Sequence, residues 1–323
     1  MIVRLAAAFV LTLGLAAQAA ALTADEVNSA SYAALERGVS KKISPMVVKA
    51  QALLDRRGVS PGVIDGHDGD NFRKAIAQFK RLEGIGEDDE LDEDTWRRLG
   101  GAEPQEIVVS YRVTKEDAAT EFVKRIPTDY AEQAKMKQLG FTTAREMFSE
   151  RFHMDEDLLA ALNPKAPFEE EGTELAVVAV ERPKPPAAKW LEADKGRGLL
   201  IVRGENDEML ASFPATIGSE QTPTPSGELK ITRLARNPTY HYDPDKNFQQ
   251  GKNTEKLTLP PGPNNPVGST WIALSKPTFG IHGAPEPSKI GKTASHGCVR
   301  LTNWDAAWLA QMVKTGMLVR FID

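Results

Sequence analysis

The sequence predicts a multidomain α+β protein with a small helical bundle first, a module of mixed helices and strands next, and a β-rich domain last. The chain has 323 residues, which is enough for two or three domains. Apolar residues recur at helical spacing in residues 45–101, and this favours packed amphipathic helices. Short strand-like runs separated by turn residues dominate residues 187–323, and this favours a β-rich domain.

The first 21 residues have the features of a secretory signal peptide. Arg4 gives a short positive start, and residues 5–17 form an apolar run that is too short to span a membrane. Small residues then offer cleavage sites, and the shortness of the apolar run argues against an uncleaved anchor. We therefore expect residues 1–21 to be removed on export, and residues 22–44 to follow as a polar lead of a protein that is soluble outside the cytoplasm.

Residues 45–101 predict a three-helix unit. Its apolar faces consist of Met46, Val47, Ala50, Leu53 and Leu54, then Phe72, Ala75, Ile76 and Phe79, then Trp96 and Leu99. The third helix is expected to begin at Asp92. With the loop Pro61-Gly62-Val63-Ile64-Asp65-Gly66, this order resembles the peptidoglycan-binding domain type 1. A helical spacer without a ligand is the alternative, because apolar faces show only that a core exists.

Residues 104–181 predict a module with helices between two strands. Strands are expected at 107–113 and 172–178, and helices at 130–139, 143–152 and 155–162. The Leu162-Asn163-Pro164 turn and the Gly-Thr-x-Leu strand resemble a LysM fold, and LysM modules bind glycans that contain N-acetylglucosamine. A long segment, Asp117 to Gln138, stands where a typical LysM has few residues. Glycan binding and orientation of the next domain therefore both remain open as its role.

A proline-rich linker, residues 181–186, precedes the last domain, and we expect it to act as a stiff spacer. The strand candidates in residues 187–323 are Leu199–Arg203, Met209–Ile217, Leu229–Thr232, Thr270–Leu274 and Leu318–Ile322. Many short strands of this kind favour a β-sandwich or a barrel-like sheet. One helix is expected near the end, with Asn303 as its cap.

The only cysteine of the chain, Cys298, lies in a glycine-rich stretch from Ile281 to Thr302 that also contains His282 and His296. A free thiol has a pKa of about 8.5, so it is a poor nucleophile at neutral pH. A nearby imidazole accepts its proton, and the pair can persist as thiolate and imidazolium. Gly297 leaves room beside the sulfur for a substrate carbonyl to approach backbone amides. The stretch therefore predicts a cysteine nucleophile with a histidine base.

Two other roles are open to these residues. A lone cysteine is usually a small buried hydrophobe, although an unpaired thiol in an exported protein is a liability unless it is used. Two histidines and a cysteine could also bind zinc. His296 and Cys298 are only two positions apart, which makes joint coordination awkward. We therefore expect neither a metal nor a cofactor.

The run Ser295-His296-Gly297-Cys298-Val299-Arg300, with His282-Gly283 upstream, resembles the signature of the L,D-transpeptidases. These are the YkuD-type cysteine enzymes that act on bacterial peptidoglycan. His282 lies sixteen positions before the cysteine, which suits the family pattern. Two places after the cysteine the family often has Asn, and many members share the Arg300 found here. The resemblance covers about residues 190–323, including the segments Thr222-Pro223-Thr224-Pro225-Ser226-Gly227 and Asn264-Asn265-Pro266-Val267-Gly268.

The resemblance implies a reaction sequence. Cys298 attacks the carbonyl of the third residue of a stem tetrapeptide, D-alanine leaves, and an amine attacks the resulting thioester. His282 is the expected general base, and Gly283 is expected to orient its imidazole through the backbone carbonyl. His296 is either a supporting residue or a base in its own right.

The remaining site residues are expected to shape the loop and bind the substrate. Ser295 and Gly297 shape the loop, and the backbone amides of Gly297 and Cys298 are the expected oxyanion donors. Arg300 either holds a stem carboxylate by bidentate hydrogen bonds or forms a structural salt bridge. Tyr240 and Tyr242 are expected either to line the substrate groove or to form a surface aromatic patch.

The expected partners are peptidoglycan stem peptides and glycan, and the signal peptide together with the family predicts the periplasm. The acyl acceptor is either another stem or a lysine of an outer-membrane protein or lipoprotein, and the sequence leaves the oligomeric state open. A net charge of −5 gives no indication of nucleic-acid binding. A hydrolase of the same fold and a non-catalytic wall-binding protein are the alternative functions.

Overall fold

The computed structural model describes residues 22–35, 42–218, 226–246, 248–293 and 297–323. The expected signal peptide, the site residues Ser295 and His296, and most of the segment from Thr222 to Gly227 lie outside these ranges. Within the described ranges, no helix combines the length and the apolar character needed to span a bilayer.

The N-terminal half begins with four helices. These are α1 (Ala24–Asn28), α2 (Pro45–Arg56), α3 (Asp70–Glu83) and α4 (Glu93–Leu99). As the sequence predicts, α4 begins directly after Asp92, whose carboxylate accepts a hydrogen bond from the amide of Thr95 at 2.7 Å. This bond satisfies one of the amide donors that the first turn of a helix leaves without a partner.

The next module has two strands with four helices between them. These elements are β1 (Val108–Arg112), α5 (Lys115–Ala118), α6 (Tyr130–Gln133), α7 (Ala144–Arg151), α8 (Glu156–Leu162) and β2 (Glu174–Val178). β1 and β2 pair antiparallel, with Val108 opposite Val178. The helix expected over 130–139 is only four residues long, because the backbone of Leu139 bonds instead to Pro261 and Asn264.

The helical bundle and this second module share one hydrophobic core. The buried cluster runs without a break from Leu54 and Phe79 of the bundle to Phe148 and Val177 of the second module. The polar lead belongs to the same body: Asn28 accepts hydrogen bonds from the amides of Ile107 and Val108 at 2.9 and 2.8 Å.

The C-terminal domain is built on one mixed sheet. Its strands are β3 (Trp190–Asp194), β4 (Leu199–Arg203), β5 (Met209–Pro214), β6 (Thr216–Ile217), β7 (Gly227–Arg236), β8 (Tyr240–Tyr242), β9 (Leu257–Leu259), β10 (Thr270–Leu274), β11 (Gly280–His282), β12 (Val299–Arg300) and β13 (Leu318–Ile322), and its helix is α9 (Asn303–Met312). Nine strands pair in the order β5-β4-β3-β13-β7-β10-β11-β12-β6, while β8 and β9 form a separate hairpin.

The sequence favours a sandwich or a barrel-like sheet, and nine strands of the domain pair in one order that runs through the long strand β7. The ten residues of β7 pair with β13 along the first half and with β10 along the second. Neighbouring strands are parallel at β3–β13 and at β11–β12. The second parallel pair matters for the site, because it sets His282 and Cys298 on adjacent chain segments.

Helix α9 differs from the prediction at its first residue. Thr302, not Asn303, is the N-cap, and its hydroxyl accepts a hydrogen bond from the amide of Asp305 at 3.2 Å. Asn303 is buried and its amide group is used elsewhere: it donates to Glu150 of α7 at 2.8 Å and accepts from the amide of Ser269 at 3.0 Å. The Asn303 side chain therefore makes tertiary hydrogen bonds instead of the helix cap that local propensity predicts.

The linker carries a buried ion-pair cluster and is therefore more than a spacer. The guanidinium of Arg182 pairs with the carboxylate of Asp55 in α2 and, at 2.6 Å, with the carboxylate of Asp305 in α9. Both carboxylates are fully buried. His153 lies 3.2 Å from Asp55. Burial by itself would raise the pKa of Asp55, but the charge of Arg182 and the contact with His153 hold it below its ordinary value.

Candidate functional site

The strand pair β11–β12 brings the predicted site residues to one face of the sheet. Ile281 lies opposite Val299 and His282 opposite Arg300 in a parallel register. Both Ile281 and Val299 are fully buried in the core of the domain. Successive side chains of a strand point to opposite faces, so His282, Cys298 and Arg300 share the face that points away from this core.

His282 is buried and its tautomer is fixed by the backbone. It is 3% exposed, stacks on Trp271 at 5.4 Å, and its Nδ1 lies 2.6 Å from the carbonyl oxygen of Gly283. Since a carbonyl can only accept, Nδ1 carries the proton and Nε2 is left as an acceptor. Burial lowers the pKa of His282, and the positive charge of Arg300 lowers it further, to about 3. The hydrogen bond to the Gly283 carbonyl raises this pKa and offsets only part of the shift.

The Cys298 thiol lies against the turn that joins β10 to β11. Its Sγ is 3.6 Å from the carbonyl oxygen of Thr278, and the amide of Gly280 donates a hydrogen bond to the sulfur. Burial raises the pKa of the thiol, and the Gly280 amide and the Arg300 charge offset only part of that rise. Both shifts favour the uncharged forms, a thiol at Cys298 and a neutral imidazole at His282.

Gly297 has a backbone conformation and a contact that both require glycine. Its φ is 103°, in the region that side chains disfavour. A Cβ at this position would lie 2.7 Å from the ring of Phe279. The residue before Cys298 is thus held close to the β10–β11 turn.

Arg300 lies in the site without a carboxylate partner among the described residues. No ion pair joins it to an acidic side chain of the described ranges, and its Nε is buried with no hydrogen-bond partner. Its charge nevertheless acts on His282, on Cys298 and on Tyr130. Arg300 is therefore a charged group close to His282 and Cys298, and its role as a carboxylate ligand stays a prediction.

The two predicted substrate-binding tyrosines lie in different surroundings. Tyr240 is partly exposed on β8. Tyr242 is 1% exposed; its hydroxyl donates to the carbonyl of Asn253 at 3.1 Å and accepts from the amide of Gln250 at 2.8 Å. The Tyr242 side chain is therefore part of the interior of the β8–β9 hairpin, which leaves Tyr240 as the candidate for substrate contact.

Several residues around His282 and Cys298 could not be predicted from the sequence motif. Thr278 and Gly280 hold the sulfur, Trp271 stacks on the histidine, and Tyr130 comes from the second module. Thr278 has a φ of 68°, which is unusual for a β-branched residue. Of these residues, only Gly280 could have been predicted, and only from the strand register. Gly280 lies two residues before His282 in β11, so both face the same side of the sheet.

The described residues contain no group of three His, Cys, Asp or Glu side chains that could hold a metal ion. The zinc alternative required His296, which lies outside those residues, so that alternative is not tested by the geometry.

The raised pKa of the Cys298 thiol predicts how its reactivity depends on pH. Because the thiol pKa is raised, the rate of alkylation by iodoacetamide is expected to keep increasing above about pH 9 rather than level off near neutrality. Because Cys298 is the only cysteine, mass spectrometry of the intact protein measures this rate directly. A plateau near pH 7 would mean that the thiolate is the resting form.

Comparison with known proteins agrees with this geometry. Residues 188–320 match the family described as "L,D-transpeptidase catalytic domain". The chain therefore contains an L,D-transpeptidase catalytic domain. Residues 44–99 match the family described as "Putative peptidoglycan binding domain", so the helical bundle is a peptidoglycan-binding type 1 domain.

Individual relatives match about a third of the chain or somewhat more. "Putative L,D-transpeptidase YkuD" of Bacillus licheniformis is 33% identical over 124 residues, which cover 38% of this chain and 59% of the relative. "Probable L,D-transpeptidase ErfK/SrfK" of Escherichia coli is 33% identical over 114 residues, which cover 34% of this chain and 36% of the relative. The chain thus spans little more than half the length of the curated relatives that it matches first.

Among solved structures, an L,D-transpeptidase from Mycobacterium smegmatis aligns with a TM-score of 0.35 and 20% identity, over 47% of this chain and 75% of that one.

Proposed function

We propose that this chain is a peptidoglycan L,D-transpeptidase with Cys298 as its nucleophile. The observation that carries the proposal is the parallel pairing of β11 with β12, which sets Cys298, the buried His282 and Arg300 on one face of the sheet. The matches of the C-terminal domain to L,D-transpeptidases support the same activity.

Nε2 of His282 takes the thiol proton as the sulfur attacks the carbonyl carbon of the third stem residue. The tetrahedral oxyanion is stabilised by the backbone amides of Gly297 and Cys298. The C–N bond to D-alanine then breaks, and the imidazolium gives its proton to the leaving amine. A thioester remains, and an acceptor amine attacks it with His282 again as the base.

Arg300 binds a carboxylate of the donor stem. The guanidinium forms no ion pair among the described residues and has a buried Nε without a partner, and such a fork suits two parallel hydrogen bonds to a carboxylate. The motif implies that Ser295 shapes the loop before the cysteine and that His296 is either a supporting residue or a base in its own right; both residues lie outside the described ranges.

The proposal also includes a glycan-binding role for the second module and a periplasmic location for the protein. The antiparallel β1–β2 pair with α7 and α8 between its strands supports a LysM-like module, and titration of the full chain with N-acetylglucosamine oligomers tests whether it binds glycan. Export by residues 1–21 would place the enzyme in the periplasm. There the acceptor amine belongs either to a second stem or to a lysine of an outer-membrane protein or lipoprotein.

Incubation of the mature protein with disaccharide-tetrapeptide, followed by mass spectrometry of the products, tests the activity. The expected product is a crosslinked dimer that has lost one D-alanine and is absent when Cys298→Ala replaces the wild type. Tripeptide without a dimer would assign the chain to the hydrolases of this fold or point to a protein lysine as acceptor. An inert protein whose Cys298 also resists carbapenem would leave the non-catalytic wall-binding alternative.

A further inference from the structure

Part of the LysM-like module lies against the C-terminal domain. We call residues 126–140 the strap; they lie mostly within the segment that lengthens this module. The strap and the β8–β9 hairpin form a separate apolar cluster, composed of Ile126, Tyr130, Ala134, Met136 and Leu139 on one side and Tyr240, Tyr242, Leu257 and Leu259 on the other.

Polar contacts fix the first half of the strap to the loop of the hairpin. The side chain of Gln250 donates to the carbonyl of Thr128 at 2.8 Å and accepts from the amide of Tyr130 at 3.2 Å. Asn253 donates to the carboxylate of Asp129 at 3.0 Å. Two side chains of the hairpin loop therefore hold three consecutive residues of the strap.

Backbone contacts fix the second half to the chain that leaves the hairpin. Leu139 donates to the carbonyl of Pro261 and accepts from the amide of Asn264, both at 2.9 Å. Gly262 leaves no room for a side chain, because a Cβ there would meet the carbonyl of Leu139. The same stretch continues to Gly268, which packs on Gly283 beside the catalytic histidine.

Tyr130 lies at the centre of these contacts. Its ring meets the rings of Tyr240, Tyr242 and Phe248 edge-on, at centroid distances of 5.9, 5.4 and 6.3 Å. Burial raises the pKa of its hydroxyl, and the charge of Arg300 is close enough to oppose that rise. Tyr130 thus packs against the hairpin, and the charge of Arg300 acts on its hydroxyl.

We propose that Tyr130 is a positioning residue of the acyl-donor site, supplied by the LysM-like module to hold the β8–β9 hairpin as the wall of the groove that leads to Cys298. The catalytic domain is then completed by the strap of the same chain. This inference rests on the proposed function, because the groove is defined by the donor stem that the transpeptidase takes.

Two substitutions separate the ring from the hydroxyl. Tyr130→Leu keeps an apolar side chain but removes three edge-on ring contacts, whereas Tyr130→Phe keeps the ring. For Tyr130→Leu we expect KM for disaccharide-tetrapeptide to rise about tenfold with kcat changed by less than about twofold, since a wall residue affects binding more than chemistry. Tyr130→Phe should behave as the wild type.

Hydrogen–deuterium exchange reports the same contact without catalysis. Amides of residues 240–259 should exchange faster in Tyr130→Leu, while those of β3 and β4 are unchanged. Tyr32→Leu is the matched control, because Tyr32 lies among the side chains packed on the N-terminal core and the same chemical change there should alter neither KM nor hairpin exchange. If Tyr130→Leu does not fold, Gln250→Ala removes two strap contacts from the hairpin side and carries the same expectation.

An unchanged KM or an unchanged hairpin exchange in folded Tyr130→Leu would overturn the inference. A wild-type protein that releases no D-alanine would instead overturn the proposed function. In that case the inference about the donor site fails with it, even where the exchange comparison shows that the strap restrains the hairpin.

Discussion

Replacement of His282 by glutamine is expected to slow acylation of Cys298 by about 10²–10⁴-fold, the range that a general base contributes. Glutamine can keep a hydrogen bond to the Gly283 carbonyl, but it has no nitrogen that accepts a proton at neutral pH. Because the thiol pKa is raised by burial, little thiolate forms without a base, so the loss should fall on the chemical step. The rate at which a carbapenem adds to the intact protein, followed by mass spectrometry, measures it.

His241→Gln provides the control for the His282 experiment. His241 is exposed on β8 and its ring nitrogens lie 3.3 and 3.2 Å from the hydroxyls of Thr239 and Thr258, so its loss should change acylation by less than about twofold. The idea that His282 is the base would be abandoned if His282→Gln kept more than about a tenth of the wild-type acylation rate. His296 would then be the remaining histidine of the motif for that role.

Replacement of Arg182 by methionine is expected to destabilise the protein by about 3–5 kcal/mol, the cost of removing one partner from a buried ion pair. The change would leave the carboxylates of Asp55 and Asp305 buried without a counter-charge. It would also remove the contact of the guanidinium with the ring of Trp308, which is 4.8 Å away. The free energy of unfolding from a urea titration, monitored by tryptophan fluorescence, tests the prediction.

An exposed arginine gives the comparison for Arg182. Arg112 pairs with Glu174 at 2.6 Å, but the two side chains are 70% and 51% exposed, so Arg112→Met should cost no more than about 1 kcal/mol. Neutralising the carboxylates as well, in the triple variant Arg182→Met/Asp55→Asn/Asp305→Asn, should recover part of the lost stability. Equal costs for Arg182→Met and Arg112→Met would show that the buried cluster contributes nothing to stability.

The pH dependence of the buried cluster follows from the lowered pKa of Asp55. A carboxylate whose native pKa lies below its unfolded value contributes stability that is present above the unfolded pKa and is lost as the pH falls through the native one. The contribution of Arg182 should therefore be complete at neutral pH and decline only in acid, below about pH 4. The difference in unfolding free energy between wild type and Arg182→Met should shrink in that acid range.

The sequence by itself predicts a nucleophile and its base because these signals are short and local. His282 and Gly283 are adjacent, Cys298 lies in the same stretch, and a motif of this kind predicts the chemistry without the fold. The start of α4 at Asp92 is predictable for the same reason, since a cap is an interaction within one turn.

The tertiary structure alone decides which surfaces meet. Tyr130 and Tyr240 stand far apart in the chain but touch in the fold, and Arg182, read from sequence as part of a spacer, is the centre of a buried ion cluster. Asn303 loses its expected role as a cap for the same reason, because Glu150 from a different module binds its side chain. Such contacts depend on how separate elements pack, a sum of many small terms spread over the chain, so no short stretch of sequence encodes them.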